Sequence, residues 1–164
     1  MKRLLVYFAV LVGCLFVGLT TYYMLKNYEH ISITASSGNK IYLNVGETET
    51  ITIVHENQYE TTEITPEIIG DKESISFNQD TGLITALKGG SAKLVITSTN
   101  ENFGPFTFEI YVGDGNKNSP YYIKTDDDLK AIGGTRTYSE TVSREWSLDA
   151  KYSIQQNINL TGKE

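Results

Sequence analysis

Between Asn78 and Ser98 the chain reads NQDTGLITALKGGSAKLVITS. Leu83 to Leu87 forms one apolar run, opened by the turn residues Gln79-Asp80-Thr81-Gly82. Ser91 to Ser98 forms the next, with Ala92, Leu94 and Ile96 on one face and Lys93, Val95 and Thr97 on the other. Alternation with period two is the signature of a strand with one buried face. Gly82, Gly89 and Gly90 fall where the chain must turn, and glycine adopts positive φ without steric cost. The stretch points to a mainly-β fold, an antiparallel sandwich.

The preceding and following stretches repeat the pattern. Ile31, Ile33 and Ala35 alternate with Ser32 and Thr34, and Ile41, Leu43 and Val45 form a second run after the turn cluster Ser36-Ser37-Gly38-Asn39. Glu49 to His55 places Ile51 and Ile53 inward. Glu56 to Thr62 is polar and reads as a loop. Glu63 to Ile69 contains Pro66, which lacks a backbone donor, so this strand belongs at a sheet edge or carries a bulge. Ile75 and Phe77 mark a short strand. Phe106, Phe108, Ile110 and Val112 close the set facing inward. Seven or eight short strands separated by turn signals fit a sandwich. The chain has one cysteine, Cys14, so the sandwich holds by packing without an internal disulfide.

These residues resemble the bacterial Ig-like group 2 family. The resemblance is carried by Gly82, Leu83, Ile84, Thr85 and Ala86, by Gly90, Ser91 and Ala92, and by the turn Gly46-Glu47-Thr48. It covers roughly residues 31–113 and implies an Ig-like β-sandwich in a cell-surface protein. The region from Glu56 to Gly70 lacks the tryptophan that many family members carry there, and Ile64 or Ile68 is expected to fill that volume.

Residues 1–26 have a different character. Met1-Lys2-Arg3 is followed by Leu4 to Leu25 without a charge. Twenty-two helical residues rise about 33 Å, enough for a hydrocarbon core of ~30 Å. Tyr22 and Tyr23 fall where aromatic rings favour the membrane interface, and the basic N-terminus places it in the cytoplasm with the bulk of the chain outside. Three readings compete. A cleaved signal peptide prefers a shorter apolar region and a small-residue site. Leu11-Val12-Gly13-Cys14 resembles a lipobox, which makes Cys14 a candidate for lipidation. An uncleaved single-pass signal anchor suits the run length best. All three place the remainder outside the cell membrane.

Residues 114–119 read as a linker. Asp114, Asn116 and Asn118 have the opening spacing of a calcium loop, but Ser119 and Thr125 occupy the positions that need glycine and glutamate. Residues 120–164 form a short α/β segment. Tyr121 to Lys124 suits a strand, and Thr125 caps a helix opened by Asp126-Asp127-Asp128. Leu129 and Ile132 are its expected buried face, and Gly133-Gly134 its stop. Thr135 to Glu145 reads as a polar loop. Trp146, Leu148, Tyr152, Ile154, Ile158 and Leu160 read as an apolar patch. This segment resembles the opening of β-helix-type repeat domains of bacterial surface proteins. The matched residues are Ile123, Asp128, Leu129, Ala131 and Ile132, then Tyr152, Ile154, Asn157, Ile158, Asn159 and Leu160. The resemblance implies an incomplete cap and first rung of a longer domain.

Charge and residue usage narrow the function. Of 14 basic residues, Lys2, Arg3 and Lys26 flank the apolar run, leaving 11 against 20 acids and a net charge of −9. Such a surface repels nucleic acid. His30 and His55 are the two histidines, and no nucleophile–base set assembles around them. No catalytic, metal or cofactor site is expected. Two roles remain: a stalk presenting a distal domain, or an adhesion module that binds a cell-surface protein or glycan. Tyr42, Tyr59 and Tyr111 sit at outward or loop positions and are the candidate binding residues for the second. Their clustering on one sheet face would favour adhesion.

Overall fold

The computed structural model describes residues 31–55, 63–99 and 103–158. The apolar N-terminal run, Cys14, Tyr59 and Leu160 lie outside the described residues. Among those described, no helix is long and apolar enough to cross a membrane.

Eight strands build two four-stranded sheets: β1 (Ile31–Ala35), β2 (Lys40–Asn44), β3 (Thr48–His55), β4 (Ile64–Gly70), β5 (Ile75–Asn78), β6 (Leu83–Ala86), β7 (Gly90–Ser98) and β8 (Phe106–Gly113). One sheet has the order β1-β3-β6-β5 and the other β2-β8-β7-β4. The alternation gives each sheet a buried face. Ile51, Ile75, Ile84 and Ala86 are buried in the first; Ile41, Leu43, Ala92, Leu94, Ile96, Phe108, Ile110 and Val112 are buried in the second. These two apolar faces are the core. The β4 strand stands at a sheet edge, where Pro66 lacks nothing it needs to donate.

Two features depart from the simple antiparallel expectation. The strands β6 and β7 meet at Gly89-Gly90 without pairing to each other: they belong to different sheets, and the glycines carry the chain across. The hairpin instead joins β5 to β6, with Asn78 Oδ1 accepting from the amides of Asp80 and Thr81. At its end Gly82 has φ 68°, and a Cβ there would lie 2.0 Å from the Ile51 carbonyl oxygen. Second, β2 pairs with β8 in parallel, from Lys40↔Glu109 to Asn44↔Gly113, so this sheet is mixed.

The C-terminal segment contains β9 (Tyr121–Ile123), α1 (Asp126–Lys130), β10 (Gly134–Thr137), β11 (Ser143–Trp146) and β12 (Tyr152–Ile154). It belongs to the same compact unit as residues 33–53 and the described residues from 63 onward. The helix carries the expected cap. Thr125 Oγ1 accepts from the Asp128 amide, and Asp128 Oδ2 accepts from the amides of Thr125 and Lys124. The stretch expected as a polar loop is an antiparallel hairpin, β10 on β11, in register from Gly134↔Trp146 to Thr137↔Ser143. Strand β12 runs parallel to β9, from Tyr152↔Tyr121 to Ile154↔Ile123.

Trp146 is the centre of this segment's small core. It is 0% exposed, stacks on Tyr121 at 4.7 Å between centroids, and donates its indole N–H to the Tyr138 hydroxyl at 3.1 Å. Ile123 and Ala131 are buried with it, and Leu129, Ile132, Tyr152 and Ile158 pack around them. Leu148 and Ile154, expected in the apolar patch, are 78% and 66% exposed. Hydrophobicity alone suggests burial for both, yet Ile154 is exposed although its register partner Ile123 is buried.

Candidate functional site

The most heavily constructed feature of the described chain is the joint where the C-terminal segment meets the end of β2. Tyr42 and Asn44 alternate with the buried Ile41 and Leu43, so both side chains leave the sandwich core. Asn44 is nevertheless 0% exposed. Its Nδ2 donates to the Tyr122 carbonyl at 3.0 Å, and its Oδ1 accepts from the Tyr122 amide at 2.7 Å. The side-chain amide thus does what a neighbouring strand's backbone would do, satisfying both polar groups of one β9 residue. Buried polar groups require such partners, because an unmade bond costs the full desolvation of each group. Gly113 permits the approach: a Cβ there would lie 2.2 Å from the Pro120 carbonyl oxygen and 2.9 Å from Asn44 Oδ1.

An ion pair reinforces the amide clamp. Lys124 Nζ donates to the Tyr42 carbonyl at 3.1 Å and to Glu47 Oε2. The same Glu47 oxygen accepts from the Asn44 amide at 2.7 Å, which closes the turn between β2 and β3. Both side chains are largely shielded, at 27% exposure for Lys124 and 14% for Glu47, so solvent screens this pair less than a surface pair. The turn residues Gly46-Glu47 have a second duty. A Cβ on Gly46 would lie 2.5 Å from Val142 Cγ1, because the tip of the β10–β11 hairpin seats there.

Aromatic rings fill the third side. Tyr42 stacks on Tyr111 at 5.2 Å with an interplanar angle of 16°, and Tyr122 meets Tyr42 edge-on at 5.1 Å. The Tyr111 hydroxyl donates to Glu109 Oε2 at 3.3 Å. Burial, then the neighbouring Tyr42 and Tyr111, push the Tyr122 hydroxyl above its ordinary pKa. Burial, then the Glu47 carboxylate, push Tyr138 well above its ordinary value, against the Trp146 N–H bond that lowers it.

Two of the tyrosines chosen from sequence, Tyr42 and Tyr111, are therefore brought together, on neighbouring strands in direct register. Both are half-buried, and Tyr122 covers an edge of the pair. Sequence reasoning missed Asn44, Glu47, Tyr122 and Lys124. An asparagine at an outward position of a strand carries no local mark of burial, since its partner is supplied from far along the chain.

The segment expected as a linker is a closed loop. Asp114 N–H donates to the Ser119 carbonyl at 2.9 Å. The Asp114 carboxylate accepts from the Asn116 amide, from Asn116 Nδ2 and from the buried Ser119 hydroxyl. These bonds occupy the carboxylate that a calcium loop would need. Among the described residues no group of three or more His, Cys, Asp or Glu side chains is placed to hold a metal ion.

No protein-family model and no curated protein matches the chain. Among solved structures it is similar to domains 4 and 5 of the S-layer protein SbsC, at 12% identity and a TM-score of 0.37. The match covers 52% of this chain and 53% of that one, so the chain spans about half of that structure. A likeness of this size carries no functional inference, and the functional reading rests on the joint itself.

Proposed function

We propose that this chain is a non-catalytic, membrane-tethered extracellular module of bacterial Ig-like type that acts as a spacer for a distal surface domain. The Asn44–Tyr122 clamp carries the spacer reading. A spacer must hold what lies beyond it in a set direction, and the joint uses two buried hydrogen bonds, an ion pair and three rings to fix the C-terminal segment. A flexible tether would spend none of these groups.

The strand order supports the Ig-like part of the reading. The order β1-β3-β6-β5 corresponds to strands ABED of an Ig sandwich, and β4-β7-β8 to CFG. The uncharged Leu4–Leu25 run after Lys2-Arg3 supports the anchor. In this reading residues 120–164 begin a repeat domain; the parallel β9–β12 pairing is the arrangement a first rung needs.

One observation favours the adhesion reading: Tyr42 and Tyr111 do cluster, with Ser91 in register beside Tyr111 on the next strand. Their rings are partly spent on each other and on Tyr122, which weighs towards the joint.

Protease shaving of intact cells producing the full chain tests the spacer. Release of sandwich fragments into the medium is expected. Complete protection in intact cells, with cleavage after lysis, would place the sandwich inside and end the proposal. Binding of those cells to a glycan or protein array, lost in Tyr111→Ala, would move the assignment to adhesion.

A further inference from the structure

Among the described residues β4 is the outer strand of its sheet, and such an edge is a template for another strand. Register fixes which groups stand there. The Thr99 amide donates to the Glu63 carbonyl, and the Asp71 amide to the Ser91 carbonyl. Between these bonds the ladder runs without a bulge from Ile64↔Ser98 to Gly70↔Ala92. Alternate residues of an antiparallel pair bond the partner strand, so Thr65, Glu67 and Ile69 spend their backbone groups on β7. The backbone groups of Ile64, Pro66, Ile68 and Gly70 therefore point to the open edge. At the opposite edge of the sheet β2 is already engaged: the Tyr42 carbonyl accepts from Lys124, and the Asn44 amide donates to Glu47. We propose that Pro66, Glu67 and Gln79 close the β4 edge to a second copy of this chain, so that adjacent sandwiches do not join into one continuous sheet. This holds whatever the module presents and does not rest on the spacer reading.

The edge is otherwise adhesive, since Ile69 is exposed and Ile64 and Ile68 are only half-buried. Each of the three residues blocks a different requirement of strand addition. A second copy related by a two-fold axis overlaps all of β4 when Glu67 faces its own counterpart, which sets Pro66 opposite Ile68 and Ile64 opposite Gly70. That alignment needs an N–H at position 66, and proline has none. It needs the Ile64 carbonyl as an acceptor. The Gln79 side-chain amide, reaching from the turn after β5, already donates to that carbonyl at 3.1 Å. It also sets two Glu67 side chains face to face on the exposed side of the sheet, and like charges directly opposite are destabilising. Sliding the copy one pleat sets Pro66 against itself or against Gly70, so the missing donor stays in every long overlap.

Residue-resolved hydrogen exchange and sedimentation of the full chain in density-matched detergent micelles provide the test. In dilute wild type the Ile68 and Gly70 amides should exchange fast, while those of Glu67 and Ile69, bonded to β7, exchange slowly. Raising the concentration should change neither pair. The triple variant Pro66→Val, Glu67→Thr, Gln79→Ala should self-associate about tenfold more tightly than wild type or better, the gain from a few restored backbone bonds. Its Ile68 amide should become slow as concentration rises. Valine keeps an apolar side chain at the half-buried position 66 and suits a strand, so the fold should survive. Thr65→Val, which adds an apolar side chain to the exposed face without freeing any edge group, should associate like wild type. The proposal is overturned if the triple variant associates no more tightly than wild type. A gain that leaves Ile68 fast, or an equal gain in Thr65→Val, also overturns it, because the contact then lies elsewhere or comes from apolar surface alone. So does a slow Ile68 amide in dilute wild type, since the edge is then covered by something else. Pro66→Val alone should show a smaller gain of the same kind, and it decides the matter if the triple variant does not fold: an unchanged association constant there ends the proposal.

Discussion

Asn44 and Tyr122 lie 78 positions apart in the chain and are joined by two hydrogen bonds, one to each polar group of the Tyr122 backbone. A single side chain therefore replaces a strand at the point where two parts of the protein meet. The replacement is economical in residues but sensitive to chemistry, since only an amide offers a donor and an acceptor in that geometry.

Asn44→Ala should therefore destabilise docking of the C-terminal segment by about 1–3 kcal/mol, the cost of leaving buried polar groups unpaired. Asn44→Asp should be worse: the carboxylate cannot donate to the Tyr122 carbonyl, and it places a charge at a site without solvent. Denaturation of the full chain followed by Trp146 fluorescence reads this, because the sole tryptophan lies in the segment that the clamp holds. Equal midpoints for the two variants and wild type would show that the amide is not what fixes the joint.

The sandwich core makes an independent prediction. Leu94 is fully buried on β7, in register with Phe108. Leu94→Ala should cost ~2–5 kcal/mol, the lost transfer energy plus the cavity. Ile69, exposed on edge strand β4, should tolerate alanine within roughly 0.5 kcal/mol. Urea unfolding by circular dichroism separates the two, and similar costs at both sites would mean the inner face is assigned wrongly.

Much of the sandwich was legible because each strand states its own face. Ala92, Leu94 and Ile96 point inward as alternation demands, and Pro66 marks an edge because no central strand can spare a donor. The rest depended on partners that local pattern does not encode. Thr135, Thr137, Ser143, Arg144 and Glu145 are all exposed, so β10 and β11 show no apolar face to read, and Trp146 alone is buried among them. The parallel β2–β8 pairing depends on strands from opposite ends of the sandwich. Of the candidate site, Tyr42 and Tyr111 were visible as aromatic residues at outward positions, whereas Asn44 looked like any solvated strand end until Tyr122 covered it.

Acid should loosen the C-terminal segment before the sandwich. Burial alone would push the Asp128 carboxyl up. Hydrogen bonds from the Lys124 amide, Arg136 and Thr125, with the Arg136 charge, outweigh it and hold the carboxyl below its usual value. Arg136 Nε donates to Asp128 Oδ1 at 2.7 Å. A depressed folded pKa means that this stabilisation is fully present above the unfolded carboxylate pKa of about 3.9 and is lost as pH falls through the folded value. Trp146 fluorescence should therefore change at acid pH in wild type. In Asp128→Asn the segment should be weaker at neutral pH and lose that acid dependence; an unchanged acid transition would assign it to other carboxylates.

Hydrogen exchange distinguishes a docked segment from a loose one. The sequence alone suggests that residues 120–164 have too few apolar partners to offset the entropy of ordering them, which predicts fast exchange throughout. The structure adds partners that the sequence does not reveal: Asn44 for Tyr122, Glu47 for Lys124, and Gly46 beneath Val142. Protection should consequently follow distance from the joint. The Tyr121–Ile123 strand, buried at all three positions, should exchange slowly, approaching the sandwich strands. Tyr152–Ile154 should exchange faster, since none of its three residues is fully buried and Ile154 is exposed. In Asn44→Ala the slow exchange of β9 should be lost while β7 around Leu94 keeps its protection. If β9 stays slow in that variant, the C-terminal segment is stable without the sandwich, and its own core around Trp146 must suffice. If instead β7 loses protection together with β9, the joint and the sandwich open as one unit.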